Sequence, residues 1–369
     1  MMRITFVLPC FSTKPIGGVR VVYQYADGLV SRGHEVTVVH AAFLEPRQYL
    51  RPLSIAREPR ILARGLVDIA RPRPSHVGWH PVDPRVRLVY RPTLAANHVP
   101  DGDVIVATSW RTAESVAGYP ASKGRKHYLV QHYETWDGPA ARVDATWRSP
   151  LRKIVIAEWL YQRGLALGVP PKEIFRLPNP GIDPATFCLT RPITPRRPRV
   201  AMLWSPAPVK GGNDGVAALE AARREVPDLD AVLFGVTPRP ATLPSWIEYV
   251  HDPSRPRLVE DVYNASSLYL CPSLSEGWHL PPAEAMACGC AVVSTDIDGV
   301  RDYARPGQTA LLSPAGDPAG LAANVVRLCR DEAERARIAR AGNEVIGNCT
   351  VERSLDAFEL CLKESEVRG

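Results

Sequence analysis

The feature that most constrains the fold is an alternation of short apolar runs with helical segments, and it occurs twice along the chain. Near the N-terminus, Arg3–Pro9 has the composition of a strand and is followed by a loop that contains two glycines. Gly18–Arg32 then has the apolar spacing of a helix, and Glu35–His40 is a β-branched run. A strand, a glycine-bearing loop, a helix and a strand in this order indicate a parallel α/β unit.

The same rhythm restarts after residues 183–198, which are rich in proline and lack a long apolar run. We therefore predict an α/β fold with a first domain over residues 1–188, a linker over 189–198, and a second domain over 199–350. The last segment, 351–369, is predicted as a helix that packs back toward the first domain. Both domains are expected to be Rossmann-like, doubly wound sheets that face an interdomain cleft.

Charge is distributed unevenly along the 369 residues. Residues 1–190 hold 25 Lys and Arg against 15 acids, and residues 51–100 alone hold nine Arg against three acids. Two interpretations stay open: an arginine-rich solvated surface, or a binding surface for an anionic partner such as a phospholipid membrane or a phosphorylated acceptor. Nucleic acid is not expected, because no basic motif is interleaved with aromatic residues. Residues 45–100 are otherwise predicted to form helical turns and loops.

The sequence predicts a cytoplasmic protein. No apolar run approaches the roughly 18 residues of a membrane span, and the apolar stretch at the N-terminus is too short for a signal peptide. The eight cysteines include no C-x-x-C pair, which favours buried reduced thiols over disulfides or a zinc site. If the basic surface meets lipid, the protein would be peripheral at the inner face of the membrane.

The most informative stretch is Ser273–Gly289, which reads SLSEGWHLPPAEAMACG. Seven residues separate Glu276 from Glu284, which places the first in a loop and the second in the early turns of a helix that two prolines initiate. The backbone N–H groups between them, from Gly277 to Leu280, lie at a helix N-terminus and form a natural anion site. Carboxylates beside such a site suit a ligand with hydroxyls and a diphosphate. For Glu284 alone, an acid favoured by the helix dipole is an equally good interpretation.

This stretch resembles the E-x7-E signature of the retaining glycosyltransferases of family GT4, which have the GT-B fold. Further segments between residues 15 and 312 resemble the same family in the same order. They are Pro15–Tyr23, Ser31–Val39, Leu177–Phe187, Val209–Gly211, Gly299–Tyr303 and Gln308–Leu312.

The resemblance implies a role for each matching residue. Glu276 would contact the transferred sugar, Glu284 the ribose hydroxyls of the nucleotide, and Lys210 would neutralise the diphosphate. His132, which follows the strand ending in Tyr-Leu-Val-Gln, would contact the sugar near the reacting carbon. The remaining donor-binding residues that the resemblance implies are Gly17, Gly18, Gly277, Trp278, His279 and Leu280.

Two positions depart from the family pattern. The arginine that many relatives have about five residues before the lysine is missing ahead of Lys210, and His279 replaces the glycine of the usual Glu-Gly-x-Gly-Leu. The resemblance implies transfer of a sugar from a nucleotide diphosphate sugar to a hydroxyl with retention, the departing phosphate deprotonating the acceptor. We expect no metal ion and no cofactor, since the nucleotide sugar is itself a substrate.

The expected partners are a nucleotide-sugar donor and a sugar, lipid-linked or small natural-product acceptor. Two alternatives remain open from the sequence: an isomerase that resembles nucleotide-sugar 2-epimerases, and a non-enzymatic nucleotide-binding protein. Incubation with nucleotide sugar and no acceptor separates them, because an epimerase converts the donor alone.

Overall fold

A computed structural model describes residues 1–43 and 77–364. The chain forms two compact units, one of Met1–Pro178 with Ser354–Gly369 and the other of Asn179–Arg353. Residues 189–198, the segment predicted as a linker, lie inside the second unit. There Arg196 donates to the carbonyl oxygens of Ser266 and Cys288, at 3.0 and 3.1 Å.

The first unit is built on a parallel sheet. In chain order its strands are β1 (Arg3–Leu8), β2 (Glu35–Phe43), β3 (Arg87–Thr93), β4 (Val104–Ala107), β5 (Arg125–Val130), β6 (Arg152–Val155) and β7 (Ile174–Arg176). In space the order is β3-β2-β1-β4-β5-β6-β7. The helices are α1 (Gly17–Ser31), α2 (Trp110–Ala117), α3 (Ala140–Trp147) and α4 (Glu158–Ala166). The strand order reverses between β1 and β4, which is where open α/β sheets bind ligands.

One prediction for this unit is wrong. Residues 45–100 were expected to be helical turns and loops, yet Arg87–Thr93 forms β3. Leu88 and Val89 pair with Val38 and Val39 of β2, so a neighbouring strand supplies the hydrogen bonds that the local sequence does not signal. Residues 44–76 of that stretch lie outside the described residues.

The second unit has its own parallel sheet. Its strands are β8 (Arg199–Leu203), β9 (Asp230–Gly235), β10 (Glu248–His251), β11 (Leu268–Cys271), β12 (Ala291–Thr295) and β13 (Ala310–Ser313). The spatial order is β10-β9-β8-β11-β12-β13, the order of a Rossmann sheet. Its helices are α5 (Gly212–Glu225), α6 (Leu280–Ala287), α7 (Pro318–Arg330) and α8 (Glu332–Gly347), with a helical segment over Arg255–Arg257 and Leu258–Tyr263. The predicted fold of two Rossmann-like domains is confirmed.

The last described helix, α9 (Val351–Glu364), contributes most of its length to the first unit. Phe358 is fully buried there and stacks on Phe6 of β1 and Tyr25 of α1, with ring centroids 5.9 and 4.7 Å apart. Glu359 accepts hydrogen bonds from Arg32 and His34, at 2.7 and 3.0 Å. The C-terminal helix is therefore part of the first unit's core.

Candidate functional site

The second unit places two predicted site residues at the point where its strand order reverses. β8 and β11 are neighbours there, and the loops that follow them carry Lys210 and Glu276. The backbone N–H of Leu274 donates to the carbonyl of Val209 at 2.7 Å and ties the two loops together. Gly211 has φ +60°, and a Cβ on it would collide with the carbonyl oxygen of Pro272, so only glycine fits this crossing.

Lys210 and Glu276 form a bidentate ion pair. The Lys210 Nζ lies 2.7 Å from Oε1 and 2.9 Å from Oε2 of Glu276. Glu276 is only 9% exposed. Burial acts to raise the pKa of its carboxyl group, but His279 and Lys210 together outweigh burial, and the pKa is lowered. The Glu276 carboxylate is therefore held ionised in a nearly dry position.

The residues between Glu276 and α6 adopt an unusual backbone. His279 has φ +61° and ψ 83°, a left-handed conformation that costs an L-residue other than glycine roughly 1–2 kcal/mol. Its carbonyl accepts a hydrogen bond from the Tyr303 hydroxyl at 2.9 Å. Trp278 is 2% exposed and packs against the Tyr303 ring, with centroids 4.8 Å apart. Leu280 begins α6, at the N-terminus that the sequence predicted.

Glu284 lies within α6 and is 2% exposed. Its Oε2 accepts a hydrogen bond from the Tyr263 hydroxyl at 3.1 Å. The predicted spacing thus holds, with Glu276 in the loop and Glu284 on the helix. The structure brings Lys210, Glu276 and His279 into contact, whereas the contact shown for Glu284 is with Tyr263.

In the first unit, Gln131 links the predicted glycines to the predicted histidine, which follows it in the chain. Gly17 and Gly18 begin α1 after β1, and the Gln131 Nε2 donates to the Gly18 carbonyl at 3.0 Å. His132 follows directly and meets the edges of two tryptophan rings. The centroid distances are 4.3 Å to Trp136, which is 63% exposed, and 5.5 Å to Trp159.

Sequence reasoning missed the residues that hold the predicted ones in place. They are Gly211, Tyr263, Cys271 and Tyr303 in the second unit, and Gln131, Trp136 and Trp159 in the first. Local spacing does not signal most of these contacts, because eight or more residues separate the partners, and 113 residues separate Gln131 from Gly18. The exposed Trp136 beside a candidate histidine is the one signal that the sequence does carry.

Within 1–43 and 77–364, no group of three or more His, Cys, Asp or Glu side chains could hold a metal ion. Over the same residues, every helix is too short or too polar to cross a membrane.

Comparison with known proteins finds a family match within the second unit. Residues 200–331, about a third of the chain, match the family model for glycosyl transferases group 1. The match confirms the resemblance to glycosyltransferases that was drawn from the sequence.

Individual relatives and structures agree with this assignment. The D-inositol 3-phosphate glycosyltransferase of Thermomonospora curvata is 32% identical over 27% of this chain and 24% of its own length. The O-antigen biosynthesis protein RfbC of Myxococcus xanthus is 24% identical over 95% of this chain and 26% of its own length. The chain thus spans about a quarter of the length of these curated relatives.

Solved structures show the same fold over the whole chain. The crystal structure of Anabaena HepE in complex with UDP-glucose has a TM-score of 0.71 and 14% identity, covering 98% of this chain and 99% of that one. Sucrose-phosphate synthase from Thermosynechococcus elongatus has a TM-score of 0.71 and 15% identity, covering 100% of both chains. The chain has the two-domain GT-B fold of glycosyltransferases.

Proposed function

We propose that the protein is a retaining glycosyltransferase that moves a sugar from a nucleotide diphosphate sugar to a hydroxyl acceptor. The observation that carries the proposal is the ion pair of Lys210 with the buried Glu276 at the switch point of the second sheet. It puts a cation and a carboxylate where such sheets bind nucleotides, directly before a helix N-terminus.

In this proposal each group acts on one part of the donor. Glu276 binds the hydroxyls of the transferred sugar, Glu284 those of the ribose, and Lys210 the diphosphate. Lys210 and the backbone N–H groups at the start of α6 stabilise the negative charge that develops on the leaving phosphate. With no arginine ahead of it, Lys210 has a larger share of that charge than in relatives that have one.

The first unit supplies the remaining groups of the proposal. Gly17 and Gly18 allow a close backbone approach to the diphosphate, and His132 contacts the sugar near the reacting carbon. The departing phosphate takes the acceptor proton from the same face, which gives retention. No metal ion enters these steps. The acceptor is a glycan, a lipid-linked sugar or a small natural product.

The neighbours support the donor class. HepE has been crystallised in complex with UDP-glucose and with UDP, and several relatives are named glycosyltransferases. The epimerase and the non-enzymatic alternatives find no support among these relatives.

A donor panel tests the proposal. UDP-, GDP- and dTDP-sugars are compared by thermal shift, since a ligand that binds the folded state stabilises it by RT ln(1 + [L]/Kd). The stabilising donor is then incubated alone and with acceptors, and the anomeric configuration of donor and product is read by NMR. Slow donor hydrolysis and a product that keeps the donor's configuration are expected. Conversion of the donor into its 2-epimer, or failure of every donor to stabilise the protein, would refute the proposal.

A further inference from the structure

The proposed function places two demands on Lys210 that conflict. Lys210 is to neutralise the donor diphosphate, yet its Nζ contacts both oxygens of Glu276, at 2.7 and 2.9 Å. An ammonium group has three N–H donors, so these two contacts leave one for phosphate. A diphosphate carries more charge than a carboxylate and competes for the same ammonium. Glu276 is buried and cannot lose its cation without a replacement.

The residue that can replace Lys210 is His279, which lies beside Glu276. The Nε2 of His279 lies 3.4 Å from Oε1 of Glu276, and the His279 side chain is 3% exposed. This nitrogen has no hydrogen bond of good geometry, so it is a buried donor in reach of the Glu276 carboxylate. A modest movement of Glu276 away from Lys210 would close that distance to a full hydrogen bond.

The imidazole is itself fixed from the other side. Its Nδ1 lies 3.1 Å from the Sγ of Cys271, the last residue of β11, which is 1% exposed. The backbone is held by the Tyr303 hydroxyl in the strained left-handed conformation. The family that the sequence resembles has glycine at this position, which would be free of that strain. The imidazole of His279 is thus held in place at an energetic cost.

The charges around His279 favour its imidazolium form. Burial acts to lower the pKa of His279, and so does Lys210 from the loop after β8. Cys271 on β11 and Glu276 in the same loop act in the opposite direction, and the net result is a raised pKa. Withdrawal of the Lys210 charge toward a phosphate would favour the imidazolium further.

We propose that His279 is a positioning residue that keeps the Glu276 carboxylate ionised and in place while Lys210 binds the donor diphosphate. This inference rests on the proposed function for the role of the diphosphate. The proximity of His279 to Glu276 does not depend on that function, because it is present in the protein without any ligand.

The first experiment therefore needs no substrate. Lys210→Met removes the cation from Glu276, and the titration of the His279 imidazole is followed by NMR in the wild type and the variant. The pKa of His279 is expected to rise in Lys210→Met, because Glu276 then depends on His279 and the repulsion from Lys210 is gone. The double variant Lys210→Met/His279→Asn should lose more thermal stability than the two single variants together. An unchanged His279 titration with additive stability losses would overturn the proposal.

The second experiment uses the donor that the panel selects. His279→Gly removes both the imidazole and the strain, and His279→Asn removes the ionisable ring in a residue that tolerates the left-handed conformation. Both should lower kcat at least about tenfold while the Kd for the nucleoside diphosphate changes less than about twofold. The wild type should lose kcat as the pH rises through the pKa of His279, and His279→Asn should lack that decline.

The outcomes separate the two proposals. Wild-type kcat in His279→Gly would overturn the positioning role while the glycosyltransferase stands. Absence of turnover by the wild type with every donor would overturn the proposed function, and the titration in Lys210→Met would still decide whether His279 holds Glu276.

Discussion

At the scale of single residues, substitutions of Glu276 and Glu284 are predicted to affect different quantities, namely kcat and nucleotide affinity. Glu284→Gln should weaken nucleoside diphosphate binding by roughly tenfold or more, since a hydrogen bond to a charged group contributes about 1.5–3 kcal/mol. Glu276→Gln should lower kcat and leave that affinity equal or tighter, because Lys210 loses its competing carboxylate. Calorimetric Kd values and steady-state kcat measure both effects. Equal nucleotide affinity in the wild type and Glu284→Gln would contradict the ribose role.

Gly299 offers a test of how closely Glu276 must be placed. A Cβ at residue 299 would collide with the backbone carbonyl of Glu276, so Gly299→Ala must displace the carboxylate. A displacement near 1 Å lowers catalysis by up to roughly a hundredfold. Gly347→Ala is the matched control, because Gly347 is exposed at the end of α8 with nothing within 4 Å of the added methyl. We expect kcat to fall in the first variant only, and the same kcat in both would show that the placement is not critical.

His127 should make a pH-dependent contribution to stability that is lost in mild acid. It is 1% exposed in β5, and burial lowers its pKa to about 4, so the unfolded chain binds a proton between pH 6.5 and 4 that the folded chain does not. The contribution of His127 to stability therefore falls as the pH drops below 6.5. The loss from this one group between pH 7 and pH 5 is roughly 2 kcal/mol.

The comparison of two variants isolates this effect. His127→Gln cannot titrate and should remove about 2 kcal/mol of the difference in unfolding free energy between pH 7 and pH 5. Glu134, whose pKa burial raises to about 7, acts in the opposite direction over the same range but is common to both proteins. His251→Gln removes an imidazole at an exposed position of β10 and is the matched control for the difference between the two pH values. Urea unfolding at pH 7 and pH 5 measures the difference in unfolding free energy. The same difference in His127→Gln and the wild type would refute the prediction.

The sequence predicted the secondary structure around these residues, but it did not predict their contacts. The seven-residue spacing correctly placed Glu276 in a loop and Glu284 on a helix, because a proline pair and a run of good helix formers fix that boundary locally. The Lys210–Glu276 pair joins residues 66 positions apart. It depends on the adjacency of β8 and β11, which a single sequence does not display.

At the scale of elements, α9 provides the clearest stability test. Phe358→Ala removes a fully buried ring that stacks on Phe6 and Tyr25, and such truncations cost about 3–5 kcal/mol. Leu360→Ala is the control on the same helix, since Leu360 is 52% exposed, and it should cost less than about 0.5 kcal/mol. Urea unfolding gives both values. Similar losses in the two variants would mean that α9 does not stabilise the first unit through this face.

The elements that sequence reasoning found and missed differ in length and composition. β1 and β2 are apolar, β-branched runs of six and nine residues, and both were predicted. β6 reads Arg-Lys-Ile-Val and β7 has three residues, so neither shows a pattern of its own. Each is fixed by pairing with a neighbour already in the sheet, which is tertiary information.

At the scale of the whole molecule, the repeated α/β rhythm was sufficient to predict two Rossmann-like units. It could not give the reversal of strand order in each sheet, on which the position of the candidate site depends. What the sequence alone supplies at this scale is the charge distribution, with an excess of basic residues before residue 190 and of acids after it. That asymmetry has a consequence that experiment can measure.

If the basic stretch meets anionic lipid, the protein should cosediment with phosphatidylserine-containing vesicles at low salt and not with pure phosphatidylcholine. Each basic residue near such a surface contributes about 1 kcal/mol, and raising the salt from 0.01 to 0.1 M shortens the Debye length from about 30 to about 10 Å, so binding should fade. A variant with six arginines of the basic stretch changed to glutamine should lose vesicle binding: Arg51, Arg57, Arg60, Arg64, Arg71 and Arg73. A control with the same change in net charge should retain it: Arg224, Arg257, Arg301, Arg305, Arg330 and Arg340, all exposed in the second unit. Equal loss in both variants would assign binding to net charge, and no binding by the wild type at low salt would favour a soluble acceptor over a membrane-bound one.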